Sequence, residues 1–185
     1  MKPEVTYNGL TFVPYIEREK IDNRIAEIAK QIEADTKGKA PLFLCVLNGA
    51  FPFASDLFRA VDTDAEISFI RLKSYEGTSS TGVVKEVIGL QDDIKDRTVI
   101  IVEDIVDTGT TIKRLIEKLE ESKPAEIKIA TLLFKPDACR ADVKPDYVGF
   151  NIPTKFIIGF GLDIDGMARN LNDIYVLKEN ETEKS

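Results

Sequence analysis

Two short apolar runs, each followed by an amphipathic segment, constrain the fold of this chain most strongly. The runs LFLCVL at 42–47 and TVIIVE at 98–103 are nearly continuous in apolar residues, which is typical of parallel strands buried on both faces. The segments 49–61 and 109–121 that follow them carry apolar residues at helical spacing. This alternation predicts an α/β fold with a central, mostly parallel twisted sheet flanked by helices.

The remaining segments extend this sheet and add a small cap. Apolar periodicity predicts a helix at 17–37, and it predicts further strands at 66–75, 83–88, 126–135, 147–150, 156–159 and 174–177. We expect one domain over residues 1–185, with a core at about 38–140 and a hood formed by about 1–37 and 141–180. In open sheets of this class, ligands bind beyond the carboxyl ends of the strands.

Composition excludes several kinds of chemistry. The chain has no histidine, which excludes Ser-His-Asp triads, Cys-His dyads and histidine-based zinc sites. Its 25 basic and 32 acidic residues give a net charge of −7, which argues against a broad nucleic-acid surface. No apolar run approaches the roughly 18 residues of a membrane span. Cys45 and Cys139 form no CxxC pair, and the N-terminus lacks a signal-peptide pattern, so we expect a cytoplasmic protein.

The segment VIIVEDIVDTGTT, residues 99–111, carries the clearest chemical signal. Its last part, Thr108 to Thr111, precedes an amphipathic helix whose first amides have no partner within the helix. Gly109 allows a close approach of the backbone, and the helix dipole favours an anion there. The lysine of the ATPase phosphate loop is absent. We therefore expect Thr108, Gly109, Thr110 and Thr111 to bind a phosphate.

Two adjacent acids, Glu103 and Asp104, precede this turn. Carboxylates repel a phosphate unless they bind something else, and adjacent acids at a strand end suit the two hydroxyls of a ribose. Together, the turn and the acids predict a ribose 5-phosphate site. The alternative interpretation is that Asp107 or Thr108 caps the helix while the acids are solvated. A cap, however, does not require two acids directly behind a buried strand.

The same segment resembles the phosphoribosyl-diphosphate signature of the type I phosphoribosyltransferases. Other segments resemble the hypoxanthine–guanine branch of that family, namely VLNGAFPFASDL at 46–57, RLKSYEGTSSTG at 71–82, LLFKP at 132–136 and KPDYVGFNIPTKFIIGFGLD at 144–163. This resemblance extends from about residue 42 to 177, and it implies the type I phosphoribosyltransferase fold.

The resemblance also implies an activity and its ligands. The reaction is the transfer of a 5-phosphoribosyl group from 5-phosphoribosyl 1-diphosphate to N9 of hypoxanthine or guanine. It yields IMP or GMP and pyrophosphate, and it uses Mg²⁺. The family further implies a homodimer or homotetramer, with neither nucleic acid nor membrane as a partner.

Site residues follow from the positions that match the family motifs. Asp107 corresponds to the acid near N7 of the purine, where it acts as general base and also borders the ribose and phosphate. The ammonium of Lys135 can only donate hydrogen bonds, so it suits the O6 of a 6-oxopurine and not a 6-amino group. The other implied contacts are Phe156, Ile157 and Asp163 for the purine, Asn48, Gly49, Ser74, Tyr75 and Arg169 for pyrophosphate, and Glu103, Asp104 and Asp163 for Mg²⁺.

Two departures from the family pattern and two rival functions stay open. Asn48 and Thr110 stand where some relatives carry a basic residue, which bears on the affinity for the donor. Residues 74–82 resemble the lid that excludes water from the reaction. One rival function is a regulator of the same fold that senses the donor and binds nucleic acid. The other is the same transfer to xanthine, adenine or a pyrimidine.

Overall fold

The computed structural model describes residues 3–74, 84–90 and 92–179. In these ranges the chain forms ten strands and three helices. In chain order they are β1 (Val5–Tyr7), β2 (Leu10–Ile16), α1 (Arg18–Asp35), β3 (Leu42–Leu47), α2 (Phe51–Ala60), β4 (Glu66–Ser74), β5 (Val84–Ile88), β6 (Thr98–Val106), α3 (Thr110–Glu120), β7 (Glu126–Phe134), β8 (Tyr147–Asn151), β9 (Ile157–Ile158) and β10 (Ile174–Leu177).

The main sheet confirms the predicted α/β class. Its strand order is β5-β4-β3-β6-β7-β8, and only β5 runs antiparallel to its neighbour. Phe43 and Ile100 point to one face of the sheet, whereas Leu44 and Ile101 point to the other. Because helices cover both faces, β3 and β6 need apolar residues at every position, which explains their continuous apolar runs.

The helices form two layers on the sheet. On one face, α1 buries Ile21, Ile25, Ile28 and Ile32 in the same cluster as Phe53 of α2. On the other face, α3 buries Ile112, Leu115 and Leu119. These are the residues that the helical spacing in the sequence placed on one side of each helix. None of the described helices is both long and apolar enough to cross a membrane.

The two ends of the described chain form a separate antiparallel sheet, the hood, with the order β1-β2-β10-β9. Its small core contains Phe12, Ile158 and Tyr175. Residues 1–15 belong to the predicted hood, but no strand is predicted there, because β1 and β2 are short and lack a regular apolar period. The helix α1 and the strand β8 lie within the ranges predicted for the hood, but both pack with the main sheet. The single-domain organisation of residues 1–185 stays a prediction.

Polar contacts attach the hood to the helical layer. The buried carboxylate of Asp173, just before β10, accepts a hydrogen bond from the backbone amide of Arg18 (2.7 Å). This bond satisfies one of the free amides at the start of α1. The guanidinium of Arg18 in turn pairs with Asp56 of α2 (2.6 Å). The start of α1 therefore fixes the hood against the body of the molecule.

The strand β6 is longer than the sequence indicates. The predicted strand ends at residue 103, whereas β6 continues to Val106. The reason is that β6 and β7 stay in register beyond the acids, with Glu103 opposite Thr131 and Val106 opposite Phe134. Glu103 and Asp104 consequently lie within a paired strand, which restricts their backbone more than a loop would.

We expect Phe43→Ala to destabilise the protein strongly, because Phe43 is fully buried and its ring packs edge-on against Phe58 (centroids 5.6 Å apart). Removing such a ring leaves a cavity and costs about 3–5 kcal/mol of unfolding free energy. Urea denaturation followed by circular dichroism measures this loss. The control is Phe69→Ala on the neighbouring strand β4, where the side chain is 44% exposed. Equal losses in both variants would contradict this account of the core.

Candidate functional site

A cleft of 350 Å³ opens at the carboxyl ends of β3 and β6. Its walls come from the loop after β3, from the end of β6 with the turn that follows, and from the hood segment after β9. The predicted site residues among its walls are Gly49, Glu103, Asp104, Asp107, Thr108, Gly109, Thr111, Asp163 and Arg169. Residues that are distant in sequence thus meet at the sheet edge where ligands of α/β folds bind.

The turn from Asp107 to Thr110 presents the start of α3 to this cleft. Gly109 is the N-cap and has a φ of +77°, a left-handed conformation that other residues rarely adopt. From behind, the carbonyl oxygen of Thr108 accepts hydrogen bonds from the amides of Arg140 and Ala141 (both 3.1 Å). Within the described part of the chain, no side chain caps α3 from its N-cap position. The hydroxyl of Thr108, one residue before the N-cap, accepts a long hydrogen bond from the amide of Thr110 (3.5 Å), which is a weak form of the cap that the alternative interpretation expects. Glu103, however, is buried and not solvated, and the start of α3 lines the cleft, where it can bind an anion.

The acid pair below the turn is shielded from water. Glu103 is 8% exposed, and Asp104 is half-buried. The Glu103 carboxylate accepts a hydrogen bond from the amide of Asp104 (3.1 Å), while the Asp104 carboxylate accepts one from the amide of Ile105 (2.7 Å). Burial, together with the charge of Asp104, raises the pKa of Glu103 well above its usual range. Burial also raises the pKa of Asp104, although hydrogen bonds and the charge of Arg169 offset part of this effect.

The hood supplies a cation and a third acid to the same cleft. The guanidinium of Arg169 pairs with the carboxylate of Asp163 (2.7 Å) and donates to the carbonyl oxygen of Gly161 (2.7 Å). The other oxygen of Asp163 accepts a hydrogen bond from the amide of Gly166 (2.7 Å). Arg169 is thus aimed at the cleft by the folded-back hood segment.

Lys135 and Asp107, which the sequence assigned to the purine separately, form an ion pair with each other. The ammonium of Lys135 donates to the carboxylate of Asp107 over 2.7 Å. The Lys135 side chain is 10% exposed, whereas that of Asp107 is 44% exposed. The backbone amide of Lys135 also donates to the carbonyl oxygen of Val106 (3.0 Å), which extends the pairing of β6 and β7 by one residue.

Several predicted residues do not line the cleft. Phe156 is 45% exposed beside Phe12 (centroids 5.8 Å apart), and Ile157 is buried in β9. Asn48 is exposed next to Gly49, and Thr110 lines a separate cleft on the outer side of α3 together with Lys113 and Arg140. The side chain of Ser74, the whole of Tyr75 and the predicted lid beyond it lie outside the described residues.

Sequence reasoning missed part of this site. The turn at Gly161 has a φ of +99° and contacts the loop at Gly49. Cys139 packs its sulfur behind Gly109. The pair of glycines in GFG at 159–161 is the only sequence signal for the contact of Gly161 with Gly49. No sequence signal marks the packing of Cys139 behind Gly109. Cys45 is fully buried in β3, and burial raises the pKa of its thiol to about 12, so it has no role in the cleft.

The carboxylate oxygens of Glu103 and Asp104 are ligands that suit Mg²⁺. No group of three or more His, Cys, Asp or Glu side chains in the described ranges is arranged to hold a metal ion by itself. Mg²⁺, however, is commonly bound through one or two carboxylates, with substrate phosphates and water as the other ligands. Glu103 and Asp104 provide such a pair beside the start of α3.

Sequence comparison identifies the family and the relatives that this chain resembles. The sequence profile of the phosphoribosyl transferase domain matches residues 16–165. The chain is 42% identical over 163 residues to a hypoxanthine-guanine phosphoribosyltransferase from Streptococcus thermophilus, a match that covers 88% of this chain and 91% of the relative.

Solved structures agree with the sequence comparison. A hypoxanthine phosphoribosyltransferase from Staphylococcus aureus superposes with a TM-score of 0.86 at 39% identity, covering 90% of this chain and 91% of that one. A hypoxanthine-guanine phosphoribosyltransferase from Bacillus anthracis, solved with HEPES in its active site, superposes with a TM-score of 0.84 at 37% identity, covering 90% and 97%.

We expect Glu103→Gln to stabilise the metal-free protein at pH 8. Below the usual pKa of a glutamate, about 4.3, Glu103 is protonated in both folded and unfolded states and costs nothing. As the pH rises, the unfolded chain ionises first, because the pKa in the folded state is raised, and stability is lost. Glutamine removes this loss and keeps the oxygen that accepts from Asp104.

Urea denaturation at pH 8 and near pH 4.5 measures this effect. The gain is expected at pH 8 and should shrink at the lower pH. The control is Glu120→Gln at an exposed position of α3, which should change stability little at either pH. A Glu103→Gln variant that is destabilised equally at both values would contradict the electrostatic argument.

Proposed function

We propose that this chain, which belongs to the phosphoribosyltransferase family, transfers a 5-phosphoribosyl group from 5-phosphoribosyl 1-diphosphate to N9 of hypoxanthine or guanine. The products are IMP or GMP and pyrophosphate. One observation carries this proposal: a largely buried acid pair, a helix start with a glycine N-cap and a hood arginine line one cleft at the carboxyl ends of the parallel strands. Each of the three matches one part of the donor.

The 5-phosphate binds at the turn before α3. Thr111 at the start of the helix lines the cleft and offers its hydroxyl and the helix amides as donors. The hydroxyls of Thr108 and Thr110 are further donors once their mutual hydrogen bond (3.3 Å) is exchanged for the phosphate. The outward position of Thr110 supports a contact from the outer side of the phosphate. The amides of Arg140 and Ala141 hold the Thr108 carbonyl, so the turn is shaped before the ligand arrives.

The acid pair binds the ribose and the metal. Glu103 and Asp104 accept hydrogen bonds from the ribose hydroxyls, and together with Asp163 and the donor they would hold Mg²⁺. When bound, the ion would supply positive charge for the pyrophosphate. A cation also offsets the cost of ionising these two buried carboxyls, because an opposite charge favours the ionised form.

The pyrophosphate leaves on the hood side of the cleft. Gly49 lines this side of the cleft, and the backbone amides of Gly49 and the neighbouring Asn48 are the proposed donors to the diphosphate. Arg169 grips the diphosphate through its planar guanidinium, which suits phosphate oxygens. When it does so, Asp163 gives up its ion pair and becomes available to Mg²⁺ and the purine.

The purine binds between the hood and the end of β7. Phe156 stacks on the ring, the backbone of Ile157 contacts its edge, and Lys135 donates to O6. Asp107 acts as general base: its carboxylate accepts the proton from N7 of the purine as N9 bonds to C1′ of the ribose and the bond between C1′ and pyrophosphate breaks. In the free protein Lys135 and Asp107 form an ion pair with each other. When the purine binds, this ion pair is replaced by two hydrogen bonds, one from Lys135 to O6 and one from N7 to Asp107.

The proposal also includes an oligomeric state and a cellular location. The large side chains of Phe51, Phe69 and Met167 are 50%, 44% and 60% exposed, which supports a homodimer or homotetramer in which a second copy covers some of them. Two unpaired cysteines support a location in the cytoplasm, where thiols stay reduced.

We expect the purified protein to convert hypoxanthine and guanine to nucleotides when supplied with the donor and Mg²⁺, and not to convert adenine. The 6-amino group of adenine is a donor, and it would face the donor-only ammonium of Lys135. A spectrophotometric assay with each purine in turn measures the three rates. Adenine used as fast as hypoxanthine would refute the assignment of Lys135, and no turnover with any base would refute the proposed function.

Asp107→Asn should lower kcat about 10- to 1000-fold, because an amide cannot take the proton from the purine. Donor binding should be retained, since the amide nearly matches the carboxylate in size. Steady-state kinetics and calorimetric titration with the donor check both expectations. The matched control is Asp142→Asn, an exposed position outside the cleft. Near-normal turnover in Asp107→Asn would remove this residue from the mechanism.

A further inference from the structure

The hood touches the main body of the molecule at a contact between two glycines. Gly161, just after β9, has a φ of +99°, and its amide donates to the carbonyl oxygen of Arg169 (2.9 Å). A Cβ atom at Gly161 would overlap the carbonyl oxygen of Gly49 and would lie 3.0 Å from Cδ of Pro52. The backbone of the hood therefore lies directly against the loop after β3.

Gly49 is confined on its other side as well. A Cβ atom at Gly49 would overlap the carboxylate of Asp104, so the acid packs directly on the Gly49 backbone. The peptide at Gly49 thus lies between the hood turn and the acid pair. A displacement of the turn at Gly161 can be absorbed only by moving the Gly49 loop or by separating the hood from the body, since closely packed groups leave no free volume.

We infer that Gly161 is a positioning residue for the diphosphate half of the donor. Its lack of a side chain sets the position of the Gly49 loop, and its backbone holds Arg169 through bonds at both its amide and its carbonyl. This inference rests on the proposed function, in which Gly49 and Arg169 both face pyrophosphate. The purine contacts have pairings of their own: Lys135 is held by its ion pair with Asp107, and Ile157 is held by the pairing of β9 with β10.

The chain offers a matched control in the same hood segment. Gly166 also has a positive φ, +83°, but a Cβ atom there would meet nothing within 4 Å. An alanine at either position incurs the left-handed backbone penalty. Only the alanine at Gly161 also collides with the Gly49 loop. A difference between Gly161→Ala and Gly166→Ala therefore isolates the contact from the backbone strain.

The experiment measures kcat and KM for the donor and hypoxanthine, KM for pyrophosphate in the reverse reaction, and stability in urea. A misplacement of 1 Å can cost about 100-fold, so we expect Gly161→Ala to raise KM for the donor and for pyrophosphate at least about tenfold. KM for hypoxanthine should stay within about twofold of the wild type, because β9 and Lys135 keep their own pairings with β10 and Asp107. Gly166→Ala keeps the backbone amide that donates to Asp163, so it should leave all three KM values near those of the wild type.

Calorimetric titration with pyrophosphate and Mg²⁺ provides a readout independent of turnover. Weaker binding by Gly161→Ala than by Gly166→Ala supports the inference even if the wild type transfers to another base. Equal kinetics in the two variants, or a loss confined to kcat and stability, would overturn it. So would a Gly161→Ala protein that fails to fold beside a folded Gly166→Ala, since the contact would then be a requirement of the fold. A wild type that binds pyrophosphate but transfers to no base would instead refute the proposed function.

Discussion

The parallel register of β3, β6 and β7 is the constraint on which the site depends. These strands are buried between two helical layers, so their register is fixed by side chains packed on both faces. Because they run in the same direction, their carboxyl ends meet at one edge. The glycine loop after β3, the acids and turn of β6 and the lysine after β7 are brought together there, although about 85 residues separate the first from the last.

The same packing makes it possible to keep like charges close together. Glu103 and Asp104 are adjacent, largely shielded from water and raised in pKa, so they are an unfavourable element of the folded protein. Elsewhere in the cleft, opposite charges neutralise each other as Lys135 with Asp107 and Arg169 with Asp163. In the proposed mechanism a bound ligand replaces one partner of each ion pair. The charged side chains therefore do not have to lose a full shell of water when the ligand binds, and the desolvation cost of binding is lower.

The sequence was informative where the structure is local. The apolar runs of β3 and β6 and the helical spacing of α1 sit within short stretches, and each predicted its element. The acid-to-threonine segment is equally local and lines the cleft, while its binding role stays a prediction. A hood from the terminal segments was predicted and is confirmed, but β1 and β2 were not, because these strands are short and Pro14 of β2 finds its partner Tyr175 at the other end of the described chain. The extension of β6 to Val106 and the contact of Gly161 with Gly49 also arise from distant neighbours.

The hood has a consequence for how the protein is made. Because β2 pairs with β10, the hood sheet needs residues from near both ends of the chain. During synthesis the N-terminal part emerges first, and the main sheet can gather its strands while β2 still lacks its partner. Until β10 emerges from the ribosome and pairs with β2, the hood sheet that adjoins Arg169 is incomplete. A nascent chain therefore completes its cleft only after Ile174–Leu177 has emerged.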